Sequence, residues 1–292
     1  MRLDDYRESD YVDDRRDSSG YSRGGGMSMG TMMMLWPLIR PLLRTKFGWA
    51  IIGLGVAAYF AGFNPLALVG GQSQTHRVNK VSDDKSAIFA KKVLATTEDV
   101  WSKLLPKYGM HYKKPGLVLY RGSTHSGCGG AQAQMGPFYC PADKKVYLDL
   151  SFFDELSRRF KASGDFAQAY VIAHEIGHHI QDLQGILDKV QQLKHRWGGG
   201  AKSNALQVRV ELQADCYAGI WGHYVDAMGL LDRGDLNEAL NAAGAIGDDT
   251  LQKRAGQAVR PDTFTHGSSR QRMEWFKRGF DSGDMRACDT FK

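Results

Sequence analysis

The chain is poor in cysteine and lacks the motifs of several protein classes. Its 292 residues include four cysteines, and no two of them stand in the C-x2-C spacing of a structural zinc site. No nucleic-acid-binding motif and no internal repeat is present. The net charge of +6 comes largely from scattered Lys and Arg. A solvated basic surface explains this charge, so we expect no nucleic-acid partner.

The first thirty residues contain almost no side chains that could form a core. They are rich in Asp, Arg, Ser and Gly, as in DDYRESDYVDDRRDSSGYSRGGG. Segments of this composition cannot bury enough apolar surface to fold, so they stay disordered. We therefore expect residues 1–46 to be a disordered cytoplasmic tail that ends in a basic flank.

Residues 47–69 form an uncharged run of 23 residues, long enough to cross the roughly 30 Å core of a bilayer. Nearly fifty residues precede the run, which does not fit a cleavable signal peptide. Arg40, Arg44 and Lys46 precede it, against Arg77 and Lys80 after it, and this asymmetry places the amino terminus in the cytoplasm. The sequence thus predicts a single-pass transmembrane anchor in contact with the lipid bilayer, with a buried core helix as the alternative.

The rest of the chain predicts a linker over residues 70–82 and one domain over residues 83–292. Two short segments, Gly116 to Tyr120 and Lys145 to Leu150, are rich in β-formers and predict strands. Helical spacing of apolar residues predicts one helix or two short ones within residues 83–109, and further helices around residues 151–160, 165–184, 203–231, 235–247 and 269–280. The expected fold class is α+β, mainly α, after an N-terminal transmembrane helix.

The four cysteines all follow the apolar run, on the predicted external side, where disulfides persist. Cys128 and Cys140 flank a glycine-rich loop, which favours a bridge between them and leaves Cys216 to pair with Cys288. Other pairings are allowed by the sequence, and buried free thiols are a further alternative.

The segment AYVIAHEIGHHIQDL contains H-E-x-x-H at His174, Glu175 and His178. The two histidines are about one helical turn apart, so their imidazoles project from one face and can share a metal ion. Glu175 can reach a metal-bound water as a general base without being a ligand. Gly177 lowers helix propensity by roughly 1 kcal/mol relative to Ala, so we expect it to admit close approach by another element. Two surface histidines are the alternative, and a third ligand decides the question.

Glu211 is the strongest candidate for the third ligand. Glu211 and Asp215 are one turn apart in VELQADCYAG, and two His with one Glu is a standard catalytic zinc shell. Asp215 could accept the spare N–H of a ligand imidazole. His195 and His223 are alternative ligands, whereas His179 points about 100° away from its neighbour on a helix.

Two patterns test this assignment. The metzincin positions that need Gly and His are occupied by Gln181 and Gln184, which excludes that class. Residues 206–216 alternate apolar and polar, as a strand would, but the segment runs past twenty residues without a breaker, which favours a helix. A solvated helix pair is the alternative for Glu211 and Asp215.

Five segments then make a family recognisable: AYVIAHEIGHHIQDLQGI, RVELQADCYAGIWGHY, GDLNEALNAAGAIGDD, FTHGSSRQRMEWFKRGFDSGD and RESDYVDDRRDSSG. They closely resemble the bacterial "putative neutral zinc metallopeptidase" family over essentially the whole chain, with no departure at His174, Glu175, His178 or Glu211. The resemblance implies a zincin-like fold that binds Zn²⁺. In a bacterium, the predicted topology would place an anchor in the inner (cytoplasmic) membrane and the catalytic domain in the periplasm.

These observations together predict a membrane-anchored zinc endopeptidase acting on a protein or peptide substrate. Glu175 would take a proton from a zinc-activated water, and His266, with Tyr224 behind it, is the candidate to stabilise the oxyanion. For His266 the alternative is a loop histidine that caps the next helix. The strand at Lys145 to Leu150 could pair with an extended substrate. Two other functions fit: a non-catalytic zincin-fold scaffold of the cell envelope, and a zinc amidase acting on a non-protein amide.

Overall fold

The computed structural model describes residues 1–17 and 80–292. Their strands are β1 (Val12–Asp14), β2 (Gly116–Tyr120), β3 (Ser123–Ser126), β4 (Gly129–Gln132), β5 (Phe138–Cys140) and β6 (Lys145–Asp149). One sheet has the order β1-β2-β6-β5, and β3 and β4 form a separate antiparallel pair. Strands β1, β2 and β6 are parallel, and β5 runs antiparallel to β6. Both predicted strands are confirmed, the second ending at Asp149.

The helices dominate the described residues, as the predicted mainly α fold class requires. They are α1 (Lys80–Leu104), α2 (Ser151–Arg158), α3 (Asp165–Leu183), α4 (Ile186–Trp197), α5 (Ala201–Ala227), α6 (Asp235–Ala245), α7 (Asp248–Arg254) and α8 (Ser269–Ser282). Helix α5 packs against α3 and α8, and these three form the centre of the helical layer.

The segment with strand-like alternation is part of helix α5, as its length predicted. Residues 210–222 of this helix are all buried. The apolar and polar positions therefore do not divide into one buried and one solvated face, because α5 packs against α3 and α8 together. Its buried polar residues instead belong to a cluster of polar side chains between this helix and its neighbours.

The predicted disorder of the amino-terminal tail is wrong for residues 1–17, which we call the N-terminal strap. Leu3 is buried in the main core, and β1 adds a parallel edge strand beside β2. The guanidinium of Arg7 lies 3.0 Å from a carboxylate oxygen of Glu98 and 2.6 Å from one of Asp99. The strap is short of apolar residues, but it docks on a core that other segments build, through backbone pairing and ion pairs.

The predicted membrane topology is also wrong. Residues 47–69 lie outside the described residues, and no helix within residues 1–17 and 80–292 is long and apolar enough to cross a membrane. Beyond this, β1 is hydrogen-bonded to β2, and Arg16 Nη1 lies 3.0 Å from carboxylate oxygens of both Asp83 and Asp84. The segments before and after the apolar run thus belong to one folded body.

Candidate metal centre

His174 and His178 on α3 and Glu211 on α5 bring three possible ligand atoms within 4.8 Å of one another. Glu211 Oε2 lies 3.2 Å from His174 Nε2 and 3.5 Å from His178 Nε2. The two imidazole rings are nearly perpendicular, with centroids 4.8 Å apart. Two imidazole nitrogens and a carboxylate facing one point are the donor set of a catalytic zinc ion. The residues present therefore fit zinc.

Asp215 lies behind His174, at the position where a ligand imidazole needs an acceptor. His174 Nδ1 is 2.8 Å from Asp215 Oδ1, and Asp215 is fully buried. A proton on Nδ1 donated to this carboxylate leaves the lone pair of Nε2 facing Glu211. The helical spacing of Glu211 and Asp215 thus places Glu211 beside Nε2 of His174 and Asp215 beside Nδ1 of the same imidazole.

The second histidine, His178, is held by Gln181, whose role was not evident from the sequence. His178 Nδ1 is 2.9 Å from Gln181 Oε1. The amide nitrogen of Gln181 donates in turn to the carbonyl of Val210, at 2.8 Å, and to the side chain of Gln213. The signal for Gln181 was its position three residues after His178 on the same helix.

Arg272 and Tyr170 complete the buried polar cluster, and the sequence reasoning missed both. Arg272 Nε and Nη2 lie 2.8 and 2.9 Å from the two oxygens of Asp215. The Tyr170 hydroxyl donates to Asp215 Oδ1 at 2.5 Å. Tyr170 precedes His174 by one helical turn and so was open to inference, whereas nothing in the sequence connects Arg272 to a residue 57 positions earlier.

Burial and neighbouring charges set the pKa values of this cluster. Burial alone would lower the pKa of His174, but the charge of Asp215 raises it to about 9. Burial would likewise lower the pKa of His178, but the charge of Glu211 outweighs burial and raises this pKa. Burial also disfavours a charged Glu211, yet His178 and His174 hold its pKa well below the usual range. For Asp215, the charges of Arg272 and His174 outweigh burial and lower the pKa to about 2. The two carboxylates are therefore ionised at neutral pH.

Glu175 is buried beside the cluster but is not among its three converging residues. Burial raises the pKa of Glu175, and the nearby His178 and His174 partly offset this effect. A buried carboxylate with a raised pKa beside two imidazoles is suited to accept and release a proton.

The other histidines considered from the sequence lie elsewhere. His179 is fully buried, with Nδ1 3.0 Å from the hydroxyl of Tyr139 and Nε2 2.6 Å from the carbonyl of Lys113. Burial lowers its pKa to about 4. His223 Nδ1 is 2.8 Å from the carbonyl of Phe280, and His195 is an exposed residue of α4. None of the three belongs to the cluster around Glu211.

The cluster opens into a cleft of about 700 Å³. One wall includes residues 136–139, which contain most of β5. Strand β6, considered for substrate pairing from its sequence, is interior to the sheet, whereas β5 is the edge strand that lines the cleft. An extended chain entering the cleft therefore meets β5.

His266 also lines this cleft, and its imidazole is half exposed. Its Nδ1 lies 3.2 Å from Asp248 Oδ1, while Asp248 Oδ2 accepts the backbone N–H groups of Thr265, His266 and Gly267. Tyr224, expected behind His266, instead donates to the carbonyl of Gly283 and is not among the residues lining the cleft. Thr265 Oγ1 also lies 3.1 Å from His266 Nδ1, so Asp248 and Thr265 are the partners that orient this imidazole.

The cysteines form the two predicted disulfides, Cys128 to Cys140 and Cys216 to Cys288. Cys140 is the last residue of β5, so the first bridge ties the edge strand to the turn between β3 and β4. Cys216 follows Asp215 on α5, so the second bridge joins this helix to the carboxyl-terminal segment.

Comparison with known proteins identifies relatives along the whole chain. The family described as "Putative neutral zinc metallopeptidase" matches residues 1–291. "Uncharacterized protein YpfJ" of Escherichia coli (strain K12) is 50% identical over 298 residues, covering 100% of this chain and 99% of the relative. "Uncharacterized protein Rv2575" of Mycobacterium tuberculosis (strain H37Rv) is 42% identical over 214 residues, covering 68% of this chain and 70% of the relative. No solved structure matches the chain. The family implies zinc as the cofactor, and the chain belongs to this family of neutral zinc metallopeptidases.

Proposed function

We propose that the protein is a zinc-dependent endopeptidase, with His174, His178 and Glu211 as the zinc ligands and Glu175 as the general base. The observation that carries the proposal is the convergence of two imidazoles and a carboxylate from two helices at one wall of an open cleft. Bound zinc supplies an acidified water and polarises the substrate carbonyl. Side chains of the protein carry out the proton transfers and stabilise the oxyanion.

Glu175 takes the proton of the attacking water and passes it to the leaving amine. Its raised pKa lies closer to neutral pH, where a carboxylate can both accept a proton from water and donate it to the leaving amine. The role needs a carboxylate that is free of the metal. Asp215 and Gln181 hold the two ligand imidazoles in orientation, so Glu175 can move a proton without disturbing the ligands.

His266 is the proposed stabiliser of the oxyanion. Asp248 and the Thr265 hydroxyl hold its Nδ1 side. In the imidazolium form both ring nitrogens are donors, so Nε2 can donate a hydrogen bond into the cleft. The edge strand β5 is the proposed partner for the backbone of an extended peptide, since an exposed edge offers unpaired N–H and C=O groups. Pairing with β5 would hold the substrate segment around the cleaved peptide bond in an extended conformation.

Two substitutions separate metal binding from chemistry. Glu175→Gln should retain zinc and the fold but lose hydrolysis, whereas Glu211→Gln should lose zinc. Glu274→Gln, at an exposed position of α8, is the matched control and should behave as wild type. The readouts are zinc content of each purified protein and new protein termini in cells that carry each variant.

The proposal fails if the native chain and Glu175→Gln yield the same termini although both bind one zinc. In that case, a difference in released cell-wall fragments between the two would indicate an amidase acting on a non-protein amide. No difference in either product would indicate a non-catalytic zinc-binding scaffold. Each outcome is read against the Glu274→Gln control.

A further inference from the structure

Arg272 is a buried guanidinium whose position places it behind the metal centre. Its side chain on α8 is 2% exposed, and its partner Asp215 is fully buried. Nε bonds one oxygen of Asp215 at 2.8 Å and Nη2 bonds the other at 2.9 Å. Such a two-pronged contact fixes the plane of a carboxylate as well as compensating its charge.

Asp215 Oδ1 is shared by three donors. This oxygen accepts hydrogen bonds from Arg272 Nη2 and from the Tyr170 hydroxyl, the latter at 2.5 Å, and it lies 2.8 Å from His174 Nδ1. Arg272 Nη2 also lies 3.2 Å from the Tyr170 oxygen. A contact to His174 alone would leave the carboxylate free to rotate about its side-chain bonds and would leave its buried charge uncompensated, which is strongly unfavourable.

We propose that Arg272 is a positioning residue for the metal centre, acting through Asp215 on the imidazole of His174. This inference rests on the proposed zinc site and adds a residue to its support. The guanidinium holds Asp215 in one orientation, and Asp215 holds the imidazole so that Nε2 faces the metal position. His178 is held differently, by the neutral amide of Gln181, so the Arg272 relay serves one ligand of the shell.

The choice of Arg at this position follows from the geometry. A Lys ammonium would compensate the charge of Asp215, but it is a compact point charge and cannot hold both oxygens in a fixed plane. The fork of Arg does both. Arg272→Lys therefore separates charge compensation from orientation, and Arg272→Met removes both functions while keeping an unbranched side chain.

The test measures metal binding by the full-length protein. Zinc affinity is determined by competition with a chromophoric chelator for the native chain, Arg272→Met, Arg272→Lys and the control Arg270→Met. Arg270 lies on the same helix, is mostly exposed and pairs with Glu274 at its surface. Circular dichroism of each metal-free protein reports whether it is folded, and the visible absorption of the cobalt-substituted proteins reports the geometry of the metal shell.

Loss of a group that supports a metal ligand typically weakens metal binding by about 10- to 100-fold. We expect this loss in folded Arg272→Met, a smaller loss in Arg272→Lys, altered cobalt spectra in both, and no change in Arg270→Met. Zinc affinity and cobalt spectra equal to those of the native chain in both Arg272 variants would overturn the inference. If Arg272→Met does not fold, Arg272→Lys decides in the same way. A native chain that binds no zinc would instead refute the proposed function itself.

Discussion

Gly177 provides a sensitive test of how the metal centre is assembled. This residue lies between Glu175 and His178, and a Cβ built on it would be 2.8 Å from the carbonyl oxygen and 3.0 Å from the Cα of Ala214. Both atoms belong to the backbone of α5, which cannot rotate away as a side chain would. The close approach expected from the sequence is confirmed, and the approaching element is the helix that carries Glu211.

Gly177→Ala should destabilise the fold in spite of improving helix propensity. The propensity gain is about 1 kcal/mol, whereas overpacking a tight contact costs about 1 to 3 kcal/mol. Ordinary carbon contacts begin at about 3.5 Å, so α3 and α5 must separate by roughly half an ångström. We expect a net loss of up to about 2 kcal/mol in the free energy of unfolding.

Zinc binding should weaken as well as the stability of the fold. The imidazoles lie on α3 and Glu211 on α5, so the separation moves one ligand away from the other two. Metal sites tolerate errors of only about 0.2 Å in ligand distance. We therefore expect zinc affinity to fall at least about tenfold, or about 1.4 kcal/mol.

The assays are urea unfolding of the metal-free protein and chelator competition for zinc. Gly244→Ala is the matched control, because a Cβ at this helical glycine meets the flexible side chain of Met273, with its sulfur at 3.2 Å. It should leave zinc affinity unchanged. If Gly177→Ala is as stable as Gly244→Ala and binds zinc like the native chain, the α3–α5 contact does not set the geometry of the centre.

Three further predictions concern protons, the strap and the disulfides. In the metal-free protein the pKa of His174 is about 9, so zinc must displace a proton below that pH, and its apparent affinity should rise about tenfold per pH unit from roughly pH 7 to 9; a flat profile in chelator competition would contradict this. Glu98→Gln removes the buried carboxylate that Arg7 and Lys114 bind and should lower the free energy of unfolding by about 1 to 3 kcal/mol in urea titrations, whereas no change would mean that the ion pairs of Glu98 do not stabilise the fold. Replacing Cys216 and Cys288 by Ser opens a bridge with a sequence separation of 72 and should cost about 4 kcal/mol by loop entropy, more than the roughly 3 kcal/mol expected for the shorter bridge; the reverse order, measured by urea unfolding, would refute the entropy argument.

The sequence points to the proposed ligands because each of them is defined by local spacing. His174 and His178 are one turn apart on one helix, and so are Glu211 and Asp215. The pairing of the two helices was then inferred from chemistry, since two imidazoles lack a third donor. Arg272 has no such signal, because its contact with Asp215 depends on how α8 packs against α5.

The N-terminal strap shows where reasoning from composition fails. A segment with few apolar residues cannot build a core of its own, and this argument is sound for an isolated chain. It does not apply to a segment that docks on a core built by others. Three residues of β1 and the ion pairs of Arg7 and Arg16 fix the strap, and all of these partners are more than sixty residues away in sequence.

The three central helices are close enough that glycine is required where they cross. A Cβ on Gly177 would meet the backbone of Ala214, one on Gly219 would meet the backbone of Phe276, and one on Gly279 would meet the backbone of Cys216. Helix α3 supplies two of the proposed ligands, α5 supplies the third and Asp215, and α8 supplies Arg272. Because backbone-to-backbone contacts leave no slack between these helices, the distances within the polar cluster are set by the helix packing. We therefore expect glycine substitutions at the crossings to weaken metal binding although none of the glycines touches the metal position.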